Sequence, residues 1–340
     1  MKTRKRKKAV NILLCVLLAL VLLCGIVYAC FCGKGGSYYN QDGSYAHIED
    51  THSYNYAIHH PALDGFGQWI LPWQDNFLAT VTSPLRINYL MPMLVQTDIQ
   101  SVLDGYNFVI DQANAGNGAT FHTYYSEAEI AADSSKAHTG LMFLRGEEGA
   151  PFALVVPGGG WINVEANHEG FPVAKTLHEH GYNVFILRYR VSGNYTEEVN
   201  AMEGSAQDGI AALQWIEENA GELGVSMEGY SVWGFSAGGY IVNAAGNSPD
   251  VTAPAAIIMG YPALSDDFSA ESPDTFIAMC RDDALIPFEG VENRVGELTE
   301  LGVRVEFDVY ESGGHGFGSG DGTLQEGWME KAIAFWEDAQ

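Results

Sequence analysis

The segment Gly234-Phe235-Ser236-Ala237-Gly238-Gly239 lies between an apolar run ending at Trp233 and a helix-compatible stretch, residues 240–246. A serine spaced G-x-S-x-G between strand and helix sits on a tight, strained turn that projects its Oγ from the end of a sheet. Gly234 and Gly238 leave room where any Cβ would collide, and the helix behind the serine aims backbone N–H groups at developing negative charge. A serine hydroxyl is a weak nucleophile, so this chemistry also needs an imidazole to take its proton and a carboxylate to orient that imidazole. Of the 10 histidines only His315 follows Ser236, in Gly313-Gly314-His315-Gly316-Phe317 directly after the last expected strand. The carboxylate is sought between them. Cys280-Arg281-Asp282-Asp283-Ala284-Leu285-Ile286-Pro287 places two aspartates at the outer end of an expected strand. Either could reach His315; the Asp-x-x-x-Pro spacing favours Asp283, with Asp282 as a solvated or arginine-paired neighbour. Cys280 reads as a buried strand thiol, because no basic group is placed to lower its pKa.

A second glycine cluster, Pro157-Gly158-Gly159-Gly160-Trp161, follows another apolar run. Three consecutive glycines let backbone N–H groups approach an ester carbonyl oxygen closely. Trp161, His168 and Phe235 are candidates for lining a substrate pocket, although His168 with Glu169 also reads as a polar pair at a helix start.

Strands are expected at 119–125, 141–144, 152–156, 183–189, 231–234, 255–259, 275–279 and 304–310. Helical spacing fits 171–180, 199–218, 237–247, 289–301 and 327–338. The alternation predicts an α/β fold: a mostly parallel eight-stranded sheet with helices on both faces. The catalytic domain is expected to span 119–340. Before it, residues 56–118 read as an N-terminal extension packed on that domain, and residues 33–55, rich in Gly, Ser, Tyr and Asn, as a linker.

The chain of 340 residues suits one large domain with added segments. Six of its 17 basic residues stand among the first eight (Lys2, Arg4, Lys5, Arg6, Lys7, Lys8), which leaves 11 against 43 acidic groups in the remainder. Such a body is repelled by phosphate backbones, which argues against nucleic acid as a partner. Four of the five cysteines (Cys15, Cys24, Cys30, Cys32) lie in or beside the N-terminal apolar run, so no disulfide framework is encoded. From Ile12 to Cys32 no residue is charged. At about 1.5 Å per residue this run matches a hydrocarbon core of roughly 30 Å. Residues 9–32 are therefore expected to form a membrane-anchoring helix, with the basic tail 1–8 cytoplasmic and the catalytic domain outside. The alternatives are a cleaved signal peptide and lipoprotein processing at Val27-Tyr28-Ala29-Cys30. No His-Glu-x-x-His motif and no cysteine pair in the body suggests a metal, and no cofactor is expected.

With the serine turn, glycine loop, Asp and His in register from about residue 119 onward, the sequence resembles the α/β-hydrolase superfamily, in its bacterial esterase and lipase branch. That branch includes acetyl-xylan-esterase-like and feruloyl-esterase-like enzymes. The resemblance implies a Ser236, Asp283, His315 triad, backbone oxyanion donors at Ala237, Gly159 and Gly160, and hydrolysis of small-molecule or carbohydrate esters without a cofactor. Many relatives begin the glycine loop with His, where Pro157 stands here. A prolyl-oligopeptidase-type peptidase shares the serine turn and residue order but carries a large N-terminal propeller, for which residues 33–118 are too few. A hydrolase fold kept only for binding is the rival from a different class.

Overall fold

The structure, a computed structural model, describes residues 17–26, 28–71, 77–94, 98–192 and 201–340. Eight strands form one sheet: β1 (Thr120–His122), β2 (Gly140–Leu144), β3 (Pro151–Val156), β4 (Asn183–Arg188), β5 (Ser226–Phe235), β6 (Ala256–Gly260), β7 (Asp274–Cys280) and β8 (Val305–Tyr310). Their order is β1-β2-β4-β3-β5-β6-β7-β8. The sheet is mixed. From β4 through β3 to β8 neighbours pair in parallel, whereas β2 runs against both β1 and β4. The reversal follows from the chain between β2 and β3, residues 145–150, because a parallel return needs a crossover of about a dozen residues or more.

The flanking helices are α1 (Ile99–Asn114), α2 (Phe171–Glu179), α3 (Ala201–Leu223), α4 (Ala237–Gly246), α5 (Phe288–Glu300) and α6 (Trp328–Glu337). Strands β2, β4 and β6 are buried throughout, so alternate side chains feed two cores and the sequence shows unbroken apolar runs. On one face Trp233, Phe235, Ile258 and Phe276 pack with α1, α2 and α6. On the other, Val232, Ile257, Ile277 and Met279 pack with α3, α4 and Val291 of α5.

Residues before β1 contribute to the first of these cores through Tyr54, Leu63, Trp69, Tyr106, Val109 and Ile110. Helix α1 approaches α2 closely: a Cβ on Gly105 would lie 2.8 Å from the Phe171 carbonyl carbon, and Tyr106 meets the Phe171 ring edge-on at 5.0 Å. The stretch 33–55, expected as a linker, lies against α1. The Tyr45 and Ile48 N–H groups donate to the side-chain oxygens of Asn114 and Asn107 at 2.7 and 2.8 Å, and His47 meets Asp111 at 2.7 Å. This anchoring uses polar side chains and main chain, which leave no apolar period in the sequence.

Residues 17–26 and 28–31 are helical, and Leu17, Leu18, Val21, Leu22 and Ile26 are exposed. The basic tail and the first part of the expected anchor, residues 1–16, lie outside the described residues. Among the described residues no helix is long and apolar enough to cross a membrane.

Candidate active site

Ser236 occupies the turn between β5 and α4 with φ 49° and ψ −120°, a left-handed conformation costly for any residue with a Cβ. Neighbours hold it there. Its N–H donates to the Gly260 carbonyl at 3.1 Å, and its carbonyl accepts the Ala263 N–H at 2.8 Å. A Cβ on Gly238 would strike the Val156 carbonyl oxygen, and one on Gly234 would strike Val242. Both glycines let α4 close onto β3 and β5, so the turn geometry is enforced by packing.

His315 lies on the loop after β8, with Nε2 2.8 Å from Ser236 Oγ and Nδ1 2.7 Å from Asp283 Oδ2. Asp283 follows β7; its Oδ1 accepts the N–H groups of Leu285 and Ile286 at 2.8 and 2.9 Å. Burial alone would raise this carboxyl, but the bond and charge of His315 and the two N–H donors hold it below the ordinary carboxylate value. An ionised Asp283 fixes the proton of His315 on Nδ1, leaving the Nε2 lone pair for the Ser236 hydroxyl. Asp282 turns the other way: its oxygens accept the N–H groups of Gly313 and Gly314 at 3.3 and 2.8 Å, tying down the loop that carries His315. Asp282 is exposed, and the adjacent Arg281 pairs with Glu311. Cys280 is buried; burial, then the charges of Asp282 and Asp283, push its thiol up to about 12.

A cavity of about 480 Å³ opens over Ser236, lined by residues that include Gly159, Gly160, Glu165, His168, Leu285 and His315. Gly159 and Gly160 both have positive φ, 123° and 61°. Among the described residues, the N–H groups of Gly159, Gly160 and Ala237 donate to no protein acceptor, so all three are free to bind an oxyanion.

The chain is similar to several known proteins. A model of the BD-FAE family matches residues 143–259. An acetylxylan esterase of Xylanibacter ruminicola is 25% identical over 254 residues, which cover 61% of this chain and 51% of that protein; the chain thus spans about half the length of this relative. Among solved structures, MGS-M1, an alpha/beta hydrolase from a Medee basin deep-sea metagenome library, superposes with a TM-score of 0.54 at 23% identity, over 65% of this chain and 97% of that one. An acetyl ester-xyloside bifunctional hydrolase from Caldicellulosiruptor lactoaceticus gives a TM-score of 0.56 at 22% identity, over 64% and 96%.

The chain has the α/β-hydrolase fold.

Two of the expected pocket residues face elsewhere. Phe235 is fully buried behind the serine turn, its ring against Tyr261 and Trp328, because strand alternation sends it to the same core as Trp233. Trp161 has φ 57° and stands edge-on to Tyr240 at 5.6 Å, outside the cavity lining. His168 does line the cavity, nearly buried, and burial with the nearby His315 pushes its ring down to about 3, so it is neutral at physiological pH. Sequence reasoning gave no role in the site to Glu165 or Tyr261. Burial pushes Glu165 up to about 7, partly offset by the Asn163 amide, which donates to it at 2.7 Å. Tyr261, at φ 38°, stands edge-on to the His315 ring at 4.8 Å. The left-handed backbone at position 261 has no counterpart in residue type, so no pattern in the chain announces it. Among the described residues no cluster of His, Cys, Asp and Glu is arranged to hold a metal ion.

Proposed function

We propose that this protein is a serine carboxylic-ester hydrolase acting on short acyl esters, with a carbohydrate as a candidate alcohol half. The observation that carries the reading is the unbroken relay from Ser236 through His315 to Asp283, at 2.8 and 2.7 Å. Ser236 Oγ attacks the ester carbonyl while His315 Nε2 takes its proton. The oxyanion is bound by the free N–H groups of Gly159, Gly160 and Ala237. The intermediate collapses to an acyl-enzyme, and His315 returns the proton to the departing alcohol. Water, deprotonated by the same nitrogen, then attacks the acyl carbon, and Ser236 leaves with the proton. Support for an ester substrate comes from the similarity to an acetylxylan esterase and to an acetyl ester-xyloside bifunctional hydrolase.

The test is hydrolysis of p-nitrophenyl acetate, butyrate and octanoate, with a p-nitroanilide amide alongside, by the full-length protein and by Ser236→Ala. The acetate is expected to be cleaved fastest, with a loss of at least ~10³-fold in the folded alanine variant. Amide cleavage without ester cleavage would place the protein with the peptidases, and no cleavage of either would favour a binding role.

The uncharged run 12–32 behind a basic tail supports a second part of the reading, a membrane anchor with the catalytic domain outside the cytoplasm. Protease added to intact cells should remove the domain and leave a membrane-bound N-terminal fragment; a domain recovered uncut inside the cell would refute the orientation.

A further inference from the structure

Glu169 ends the short helix Ala166–Glu169 and is buried, with both oxygens engaged. Oε2 accepts the Gly158 N–H at 2.6 Å, and Oε1 accepts the Tyr261 O–H at 2.8 Å. The Tyr261 oxygen in turn accepts the Gly318 N–H at 2.9 Å. One carboxyl therefore connects the glycine loop after β3, the loop after β6 and the loop after β8 that carries His315. We propose that Glu169 is a positioning residue that keeps the oxyanion donors and the base in one arrangement around Ser236, a role that rests on the esterase reading above.

Peptide planarity turns these bonds into a constraint on the donors. The Gly158 carbonyl and the Gly159 N–H belong to one rigid unit, whose carbonyl is held by the Tyr189 O–H at 3.0 Å and the Glu165 N–H at 3.1 Å. The preceding unit carries the Gly158 N–H and is held by Glu169. With both units gripped, φ and ψ at Gly158 are fixed and the Gly159 N–H keeps one direction. The grip is needed because residue 158 has to be glycine: a Cβ there would lie 2.7 Å from the Phe235 carbonyl oxygen and from Ser236 Cβ. Glycine lacks the steric limits that would otherwise orient the loop. On the other side, Tyr261 carries the constraint to the base, since its ring packs edge-on against both His315 and Phe317, at 4.8 and 4.5 Å.

The titratable groups around Glu169 are Glu165, His168, Tyr189 and Tyr261, with His315 and Asp283 beyond them; His168 Nε2 lies 3.5 Å from Oε1. Burial pushes Glu169 up to about 8; the Gly158 and Tyr261 bonds oppose this and the charge of Glu165 adds to it. Ionisation of Glu169 puts a negative charge in the cavity wall where the oxyanion develops.

Three variants of the full-length protein test this: Glu169→Ala, Glu169→Gln and Tyr261→Phe. For each, kcat and KM for p-nitrophenyl acetate are measured separately from pH 6 to 9.5, with thermal unfolding as the folding control. Glu169→Ala should lower kcat about 100-fold with KM within about 3-fold, as loss of an aligned oxyanion donor does. Tyr261→Phe should lower kcat about 10-fold, and in the Glu169→Ala background should add little, because both act through one chain of bonds. Glu169→Gln keeps a single acceptor oxygen and cannot accept both the Gly158 N–H and the Tyr261 O–H, so it should lower kcat at pH 7 about 10-fold, as Tyr261→Phe does, and lack the decline that wild type shows above about pH 8. A folded Glu169→Ala with unchanged kcat, or a Glu169→Gln profile that declines as wild type does, overturns the proposal. If Glu169→Ala fails to fold, the glutamine profile and Tyr261→Phe decide. Absence of Ser236-dependent hydrolysis in wild type would overturn the esterase reading and this proposal together; intact hydrolysis insensitive to all three variants overturns the proposal alone.

Discussion

At Asp283 two opposing effects meet, and hydrogen bonding wins over burial: the carboxyl is held below its ordinary value by His315 and the N–H groups of Ile286 and Leu285. Two consequences follow. Asp283→Asn removes the acceptor that fixes the His315 tautomer, and kcat should fall ~10⁴-fold with the fold retained. Because the folded value is depressed, the stabilisation is present above the ordinary carboxylate pKa and is lost as pH falls through the lowered value. Wild type should therefore lose thermal stability below about pH 4 more steeply than Asp283→Asn, which differential scanning calorimetry at stepped pH would resolve. The candidate residues Ser236, His315 and Asp283 could be picked out in the sequence because each stands in a local pattern at the end of an expected strand. Glu169 and Tyr261 could not be joined that way: 92 positions separate them, and only the fold brings them to 2.8 Å. Asp282 shows the same limit, since two adjacent aspartates differ only in which loop each one faces.

The elements do their positioning through close approach. Gly238, in the first turn of α4, sits against the Val156 and Pro157 carbonyl oxygens at the end of β3, so the helix that follows the nucleophile touches the strand that leads into the glycine loop. Gly238→Ala should force those two elements apart, lowering stability by roughly 1–3 kcal/mol and displacing Ala237 N–H from the site. Urea unfolding and kcat, measured together, would show both losses; an alanine variant with wild-type values would mean that the contact gives way freely. Strands β2 to β7 were legible from their apolar runs, because strands largely buried on both faces carry little else, whereas the edge strands β1 and β8 are part-exposed and mix polar with apolar residues. The reversed direction of β2 was not, since direction depends on how the chain returns over the sheet, and strand composition is indifferent to it. The pinning of residues 33–55 onto α1 was hidden for a related reason: asparagine side chains and backbone groups make those contacts.

At the scale of the molecule, the residues before β1 and the sheet share one core, in which Tyr106, Phe171, Trp233 and Trp336 all take part. The short helix Gly67–Ile70 and α1 also back the helix Ala166–Glu169 that lines the cavity, so the N-terminal segment shapes the site from behind. The strongly acidic body, with a formal net charge of −26 for the whole chain, sets a field that disfavours the approach of anions. All of this converges on one hydroxyl. The most direct test of the account is reaction of the full-length protein with a fluorophosphonate, followed by mass spectrometry of the peptides. The account predicts a single covalent adduct on Ser236, formed rapidly in wild type and not in His315→Ala. An adduct on another residue, or none while the protein still cleaves esters, would contradict it.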